Sequence, residues 1–413
     1  MTEVDSQITL ALVPRYRHQG YSEEDVQARR RWLETVCSTD LDELAHDGLS
    51  TEELRGNIEN PVGCVQVPLG ISGPMVVNGN HAQGQFYIPL ATTEGALVRS
   101  YERGMVTTAR SGGVTVRVID DENSIVPVFH CESLIQALEL CEWIGENFAP
   151  LAAIANATTQ FGCLIAIEPF VTGKDVYARF RYQVGDAHGM NMITRATSVA
   201  CQFVKSNCPV VLGFLVTTGA CSEKRASGVL FSGGKGKRVV AESILPAGVL
   251  RTHLRVSPEQ MLDMWHSTLT AQLHSNSTGY NGHFANGLTA MFIALGQDVA
   301  NVTNSAVGLT SFSMTGGGDL YMSIVLPSLT VATIGGGTGT PTSQACLRIL
   351  GCAGSGKALR LAELVGATVL CGELSMGAAI ASGEFAAAHE RYGRNRPHQI
   401  QASNGMPVSE VSV

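Results

Sequence analysis

Four short segments of this sequence carry acids and a cation of the kind that carbonyl chemistry needs. Residues 279–299 form an apolar helical pattern that ends near one acid, Asp298, and we interpret this carboxylate as functional. A fixed cation such as Lys224 could stabilise negative charge on a carbonyl oxygen, and a carboxyl group such as Glu94 could donate a proton. Each residue alone has a simpler interpretation as a surface or capping residue. The other three segments are Ala-Thr-Thr-Glu at 91–94, Asp-Ala-His-Gly-Met-Asn-Met at 186–192 and Cys-Ser-Glu-Lys-Arg at 221–225.

Local patterns predict the elements that must position these segments. A helix over 22–37 begins with a Ser-x-x-Asp capping pattern, and alternating strands and helices from 114 to 183 indicate a compact α+β subdomain inserted into a larger domain. Glu94 is predicted in the first turn of a helix over 94–107, and Asp298 inside a helix over 287–304. The chain after 258 is predicted to be helical and punctuated by glycine. The predicted strands are 85–88, 114–118, 163–170, 176–182 and 239–243.

Composition excludes several classes of protein. The chain has 413 residues, 45% of them hydrophobic and 15% charged, which predicts an enzyme with two or three well-buried domains. A net charge of -8 argues against nucleic acid or an anionic membrane surface as the main partner. The longest apolar run, 321–334, is interrupted by polar residues and is not a membrane span. The 11 cysteines include no Cys-x-x-Cys pair and no leader precedes them, so reduced thiols and a cytoplasmic location are expected.

In their order and spacing, the four segments resemble 3-hydroxy-3-methylglutaryl-CoA (HMG-CoA) reductase of the soluble microbial type. The resemblance runs from about Glu53 to Gly393. It implies an α+β fold, in which a large, mostly helical domain carries an inserted ferredoxin-like cofactor-binding subdomain. The implied domains are a helical docking segment (1–61), a catalytic and substrate domain (62–125 and 217–393), a nicotinamide-cofactor domain (126–216) and a mobile tail (394–413). The implied catalytic residues are Glu94, Lys224, Asp298 and His389.

The residues alone favour a structural role for His389, because a lone histidine in an amphipathic helix is usually structural. It lies one helical turn from Phe385 and Tyr392 and could protonate a departing thiolate. The family has its catalytic histidine on a carboxyl-terminal helix with a similar Ala-His pattern, so the resemblance favours the catalytic role.

Two segments are candidates for binding a cofactor. Residues 186–192 follow a predicted strand and start a helix, where Asp186 alone would be interpreted as an ordinary helix cap. No Gly-x-Gly-x-x-Gly follows a strand, so a Rossmann domain is not supported. The resemblance implies NADPH or NADH here, although His188 stands where family members have methionine. Glu146-Asn147 aligns with the pair that binds the phosphate of NADPH in family members, and an acid at that position favours NADH. The implied cofactor residues are Asp186, Met190, Asn191, Gly335, Gly336, Gly337 and Thr338.

A third glycine-rich segment imitates a nucleotide-binding loop. Residues 351–358 fit the P-loop spacing, except that Ala358 replaces the hydroxyl residue that would hold magnesium. The segment also follows a predicted helix over 342–350, not a strand. We therefore interpret Gly351 as a helix C-cap and expect no nucleotide triphosphate site.

The predicted substrate contacts are less well preserved than the catalytic set. The resemblance places Ile125 where an arginine is expected and His266 where a lysine is expected. Losing one charged hydrogen bond to a substrate carboxylate costs roughly 2 to 5 kcal/mol. We therefore expect an NAD(P)H-dependent oxidoreductase that reduces an acyl thioester, on CoA or a carrier protein, or the derived aldehyde, but not HMG-CoA itself. The predicted substrate residues are Arg103, Arg225, His266 and Asn286.

Three other functions stay open at this point. One is an authentic HMG-CoA reductase that makes mevalonate and compensates for the substitutions with neighbours such as Arg225. Another is a non-redox enzyme that uses Glu94, Lys224 and Asp298 for acid/base cyclisation or isomerisation. The third, a non-catalytic binding protein, is disfavoured by the retained ionisable residues. The resemblance implies a homodimer with shared active sites, and no metal, nucleic acid or membrane partner is expected.

Overall fold

The computed structural model of the chain describes residues 11–14, 23–42, 57 and 65–385. It confirms the α+β class. The helices are α1 (Glu23–Cys37), α2 (Leu97–Arg110), α3 (Leu134–Glu146), α4 (Phe148–Asn156), α5 (Met190–Asn207), α6 (Ala247–Leu254), α7 (Pro258–His274), α8 (Phe284–Ala294), α9 (Val302–Ser305), α10 (Pro341–Ile349) and α11 (Ala358–Ala381). The strands are β1 (Leu69–Asn78), β2 (Gln83–Ala91), β3 (Val114–Ile125), β4 (Val128–His130), β5 (Cys163–Thr172), β6 (Asp175–Gln183), β7 (Gly213–Leu215), β8 (Gly236–Leu245), β9 (Leu309–Met314) and β10 (Leu320–Leu329).

The larger core is built on a sheet of order β2-β1-β3-β8-β10-β9, which is antiparallel except between β1 and β3. Helices α2, α8 and α11 pack against it. The prediction that the chain after 258 is entirely helical was wrong at β9 and β10. Strand β10 lies between β8 and β9 and is largely buried, so its apolar run lacks the regular alternation that marks a half-exposed strand.

The smaller core has the ferredoxin-like arrangement. Its strands lie in the order β7-β4-β6-β5 and are all antiparallel, and the chain runs strand, helices, strand, strand, helix, strand from β4 to β7. Buried side chains of these strands pack on α3, α4 and α5. Strand β3 serves both cores, because Thr115–Glu122 pairs with β8 and Asn123–Ile125 pairs with β6. The predicted boundaries at 125–126 and 216–217 stay a prediction.

The predicted amino-terminal helix is present as α1. Leu33 lies in a small cluster with Tyr87 and Ile349, and Trp32 contacts the Tyr87 ring edge-on at 5.2 Å between centroids. This helix therefore docks on β2 and α10. Most of the remaining docking segment, and the whole predicted tail at 394–413, lie outside the described residues.

Helix α11 is the one described helix that is long and apolar enough to cross a membrane by length and composition. In its most apolar window 83% of the residues are buried inside the protein, where α11 packs on α2 and on the large sheet. The close approach to α2 depends on Gly104, since a Cβ there would collide with the carbonyl of Cys371. The apolar surface of α11 is therefore buried in the protein core.

Ten of the 11 cysteines lie in the described residues, and none of these ten forms a disulfide. Seven of these ten cysteines are buried. Burial raises the pKa of Cys346, Cys352 and Cys371 to about 12. These thiols stay protonated at neutral pH and act as apolar core groups.

Candidate active site

The ion pair between Lys224 and Asp298 is the centre of the candidate site. Lys224 Nζ lies 2.7 Å from Asp298 Oδ2, and both side chains are a little under half exposed. Lys224 lies on an irregular loop and has a φ of 55°, a left-handed conformation that non-glycine residues seldom adopt. Its backbone N–H donates to the Asn304 side chain at 3.3 Å, and Asn304 is itself buried. The contact with Asn304 therefore fixes the backbone of the loop at Lys224.

Asp298 has a second role that explains its position. Its Oδ1 accepts a hydrogen bond from Ala300 N at 3.1 Å and caps a short 3-10 turn over Val299–Asn301. The capping interpretation is therefore confirmed for one carboxylate oxygen, and the other oxygen contacts Lys224. The continuous helix predicted over 287–304 was wrong, because α8 ends at Ala294 and Gly296 reverses the chain with a φ of +64°.

Glu94 contacts another predicted site residue, Asn286. Glu94 Oε2 accepts a hydrogen bond from Asn286 Nδ2 at 2.7 Å, and the two line an open pocket of about 420 Å³ together with Thr93 and Thr289. The helix predicted to contain Glu94 starts three residues later, at Leu97, so that prediction was wrong. Glu94 thus lies in the turn before α2. The element formed by α8 and its following turn carries one member of each pair, Asn286 at its start and Asp298 at its end.

The other three predicted substrate residues do not converge on this pocket. Arg103 donates to the hydroxyl and carbonyl oxygens of Ser375 at 3.0 and 2.6 Å, on α11. Arg225 is exposed and donates to Gly219 O at 3.4 Å within its own loop. His266 is exposed on α7 and packs on its neighbour Trp265. Their substrate roles stay a prediction.

Ile125, a departure from the family pattern, and Glu102, which precedes Arg103 in the chain, are both buried. Ile125 is 1% exposed and belongs to the core of the smaller domain, so no charged group replaces the expected arginine there. Glu102, which adds an acid beside Arg103, is buried and pairs with Arg99 at 2.8 Å. The extra negative charge is therefore compensated within α2.

The P-loop-like segment does bind an anion, but the anion is the side chain of Asp186. The carboxylate accepts hydrogen bonds from the backbone N–H groups of Gly356, Lys357 and Ala358 at 2.6, 3.0 and 3.0 Å, and from the Ser355 hydroxyl at 3.4 Å. Partial burial by itself raises the pKa of this carboxyl, but the hydrogen bonds outweigh burial and lower its pKa below the ordinary value. Asp186 therefore caps α11 across a long sequence separation.

This arrangement brings the predicted cofactor segments together. Thr333 N donates to the backbone oxygen of Asp186 at 2.9 Å, which places the start of the glycine loop beside 186–190. Gly335 and Gly336 have φ values of 85° and 56°, and no atom lies within 4 Å of where a Cβ would stand. The backbone here is open to a close ligand. Thr338 is 3% exposed and donates to Gly335 O at 2.7 Å, so its hydroxyl supports the loop from inside.

The remaining predicted residues are less informative. Met190 and Asn191 open α5, as the sequence predicts, after Gly189 with a φ of 81°. Gly337 packs directly on Gly296, two residues before Asp298, so the glycine loop lies beside the turn that leads to Asp298. Gly351, with a φ of +63°, ends α10 as the predicted cap. His389 lies outside the described residues.

Sequence reasoning missed a buried cation beside this site, Lys235. Its side chain is 2% exposed and forms an ion pair with Glu223, the residue before Lys224. The signal in the sequence was a lysine inside the glycine-rich segment 233–236, where a solvated charge would be the ordinary interpretation.

Replacing Asp186 by asparagine should destabilise the protein at neutral pH by about 1 kcal/mol, because the charge at the start of α11 is lost. The folded pKa of Asp186 is lowered, so its contribution is present above the unfolded pKa and is lost as pH falls through the folded value. Urea unfolding of wild type and Asp186→Asn at pH 7 and at about pH 3 measures this. A stability difference that is equal at both pH values would contradict it.

A model of the hydroxymethylglutaryl-coenzyme A reductase family matches residues 25–394. The chain is 40% identical over 375 residues to 3-hydroxy-3-methylglutaryl-coenzyme A reductase of Methanocaldococcus jannaschii, covering 89% of this chain and 92% of the relative. It is 38% identical over 374 residues to the protein of the same name from Haloferax volcanii, covering 89% and 92%.

Among solved structures, a 3-hydroxy-3-methylglutaryl-coenzyme A reductase of Streptococcus pneumoniae matches with a TM-score of 0.70 and 18% identity, covering 86% of this chain and 96% of that one. A class II enzyme from the same organism, bound to NADPH, matches with a TM-score of 0.69 and 17% identity, covering 86% and 96%. At this identity the likeness concerns the fold alone.

Proposed function

The chain belongs to the hydroxymethylglutaryl-coenzyme A reductase family, and from that premise we propose that it reduces HMG-CoA to mevalonate with NADPH or NADH. The observation that carries the proposal is the 2.7 Å ion pair between Lys224 and Asp298. Relatives that carry the name of this reductase align over about nine tenths of the chain. They support the authentic reductase over the different acyl substrate that the sequence alone favours.

Lys224 has the position and charge for stabilising an oxyanion. Reduction of a thioester to an alcohol takes two hydride transfers, and each develops negative charge on the carbonyl oxygen. When bound, the dihydronicotinamide supplies these hydrides. The Lys224 ammonium group then acts as a preorganised cation for the oxygen, and Asp298 holds it in place.

Glu94 is the proposed proton donor to the product alkoxide. Its hydrogen bond from Asn286 at 2.7 Å orients the carboxyl group at the wall of the 420 Å³ pocket, which is open to substrate. Cleavage of the carbon–sulfur bond between the two hydride transfers also releases a thiolate that needs a proton. We assign that proton to His389, as the sequence predicts.

The proposed cofactor site combines the glycine loop with the start of α5. The open backbone of Gly335 and Gly336 fits a pyrophosphate that approaches closely, and the N-terminus of α5 at Met190 and Asn191 favours negative or polar ligand groups. Asp186 contributes by tying these segments to α11, because its carboxylate is already used by backbone N–H groups.

A second candidate is the same reduction on another acyl thioester. Ile125 is buried in the core of the smaller domain and His266 is exposed, so two cations that the family pattern expects for the substrate carboxylate have no direct replacement there. In the main proposal Arg225, one residue from Lys224, supplies the missing charge. Arg225→Met should then raise the KM for HMG-CoA.

A steady-state assay with HMG-CoA and each dinucleotide tests the function. We expect a kcat/KM of roughly 10⁴ M⁻¹s⁻¹ or more with HMG-CoA, with two dinucleotides oxidised for each mevalonate formed. Turnover of other acyl-CoA thioesters without HMG-CoA would favour the second candidate. A folded protein that reduces none of them would support a non-redox role for the same residues.

We also propose that the working form is a homodimer with shared active sites. In one chain Glu94 contacts Asn286 and Lys224 contacts Asp298, so the described contacts form two pairs. Light scattering should give the mass of a dimer. Mixing the Glu94→Gln and Lys224→Met variants should restore activity if the two residues of one site come from different chains.

A further inference from the structure

Lys235 is almost fully buried, and its ammonium group contacts three side chains on three segments. It stands just before β8, is 2% exposed, and pairs with Glu223. Its Nζ also donates to Asn123 Oδ1 at 2.8 Å and lies 3.1 Å from Met190 Sδ. A buried ammonium group persists only where anions and acceptors replace water, so this cluster orders the segments that supply them.

The same cluster includes His188, in the turn before α5. His188 Nε2 lies 3.2 Å from Glu223 Oε1, and His188 O accepts a hydrogen bond from Asn123 Nδ2 at 2.7 Å. Burial raises the pKa of Glu223, but the hydrogen bond from His188 and the charge of Lys235 outweigh it and lower that pKa to about 2. Glu223 is therefore an anion at neutral pH and binds both partners.

The position of Glu223 in the chain determines what its contact with His188 can affect. Glu223 immediately precedes Lys224, whose ammonium group forms an ion pair with Asp298. His188 lies two residues from both Asp186 and Met190, within the turn that contributes to the proposed cofactor site. One carboxylate therefore joins the catalytic loop to the cofactor turn, through a histidine at a position where the family resemblance expects methionine.

We propose that His188 is a positioning residue that couples dinucleotide binding at the 186–190 turn to the orientation of Lys224, through Glu223. This inference rests on the proposed function, since it needs a dinucleotide at that turn. The His188 imidazole faces the Glu223 carboxylate, with Nε2 at 3.2 Å from Oε1, and touches neither Lys224 nor the pocket of Glu94 and Asn286 in the described contacts. Its loss should therefore change kcat and cofactor affinity, and leave the KM for HMG-CoA nearly unchanged.

The test compares His188→Met, which keeps the volume and removes the donor, with His188→Gln, which keeps a donor. We expect His188→Met to lower kcat about tenfold and to raise the Kd for NADPH or NADH about fivefold. His188→Gln should retain most of the activity. The matched control is His130→Met, which breaks a histidine–carboxylate pair of 2.9 Å with Asp175 elsewhere in the smaller domain and should change neither quantity.

A double-mutant cycle tests whether His188 acts through Glu223. Glu223→Gln alone should lower kcat, and adding His188→Met should lower it little further, because both changes break one contact. Losses that multiply, or a His188→Met variant with wild-type kcat and Kd, would overturn the inference. Thermal unfolding identifies any variant that fails to fold. If His188→Met fails to fold, the kcat and Kd of His188→Gln are compared with those of wild type to decide whether the inference holds.

Failure of the inference can be distinguished from failure of the proposed function. A wild-type protein that turns over HMG-CoA while His188→Met is unchanged overturns the inference alone. A wild-type protein that binds dinucleotide without reducing HMG-CoA overturns the proposed function, and the Kd comparison still decides the role of His188. A wild-type protein that binds no dinucleotide overturns both.

Discussion

Lys224→Met is expected to lower kcat by about 10²- to 10³-fold, while the thermal midpoint changes little. Methionine keeps the length and apolar stem of the side chain and deletes only the charge that stabilises the oxyanion. The side chain is 45% exposed, so little folding energy depends on it. Steady-state kinetics and thermal unfolding of the same preparations measure the two effects.

The matched control for this variant is Lys237→Met. Lys237 also forms a lysine–aspartate pair, at 2.8 Å with Asp121, but it is 2% exposed and belongs to β8. Its loss leaves a buried cavity at Lys237 and removes the cation from the partly buried Asp121, so the thermal midpoint should fall while kcat is retained. Lys224→Met with more than about a tenth of wild-type kcat would show that the proposed oxyanion role is wrong.

Glu94→Gln is expected to lower kcat by about 10²- to 10⁴-fold, because the amide cannot donate the proton that the alkoxide needs. Asn286 can still hydrogen-bond to the remaining carbonyl oxygen, so the pocket should keep its shape and the KM for HMG-CoA should change much less. Kinetics with HMG-CoA, and separately with the derived aldehyde, measure whether both reductions lose the same factor.

Glu242→Gln is a suitable control for Glu94→Gln. Glu242 also accepts one hydrogen bond of 2.7 Å from a neutral donor, the hydroxyl of Tyr321, but it lies on β8 away from the pocket. We expect wild-type activity from it. If Glu94→Gln were equally active, the proton would have to come from another group, and the pairing of Glu94 with Asn286 would be only structural.

The candidate residues of the site were predicted from the sequence because their signals are local. Motifs named Lys224, Asp298, Glu94 and Asn286 one by one, and the structure pairs Lys224 with Asp298 and Glu94 with Asn286. Strands β5 and β6 were predicted nearly to the residue, since their side chains alternate between buried and less buried positions. Helix α7 begins at Ser257-Pro258 with a capping box that can be recognised from four residues.

What only the tertiary structure decided depends on partners that are distant in sequence. Asp186 looked like a cap of the helix that follows it, whereas its carboxylate caps α11, more than a hundred residues away. Strands β9 and β10 were recognised only in the structure, where β10 pairs with both β8 and β9 and is largely buried. The contacts of His188 and Lys235 with Glu223 likewise required three segments to meet. Local patterns determine which side chains are available for chemistry. Long-range packing decides which of these side chains lose their water and come into contact with one another.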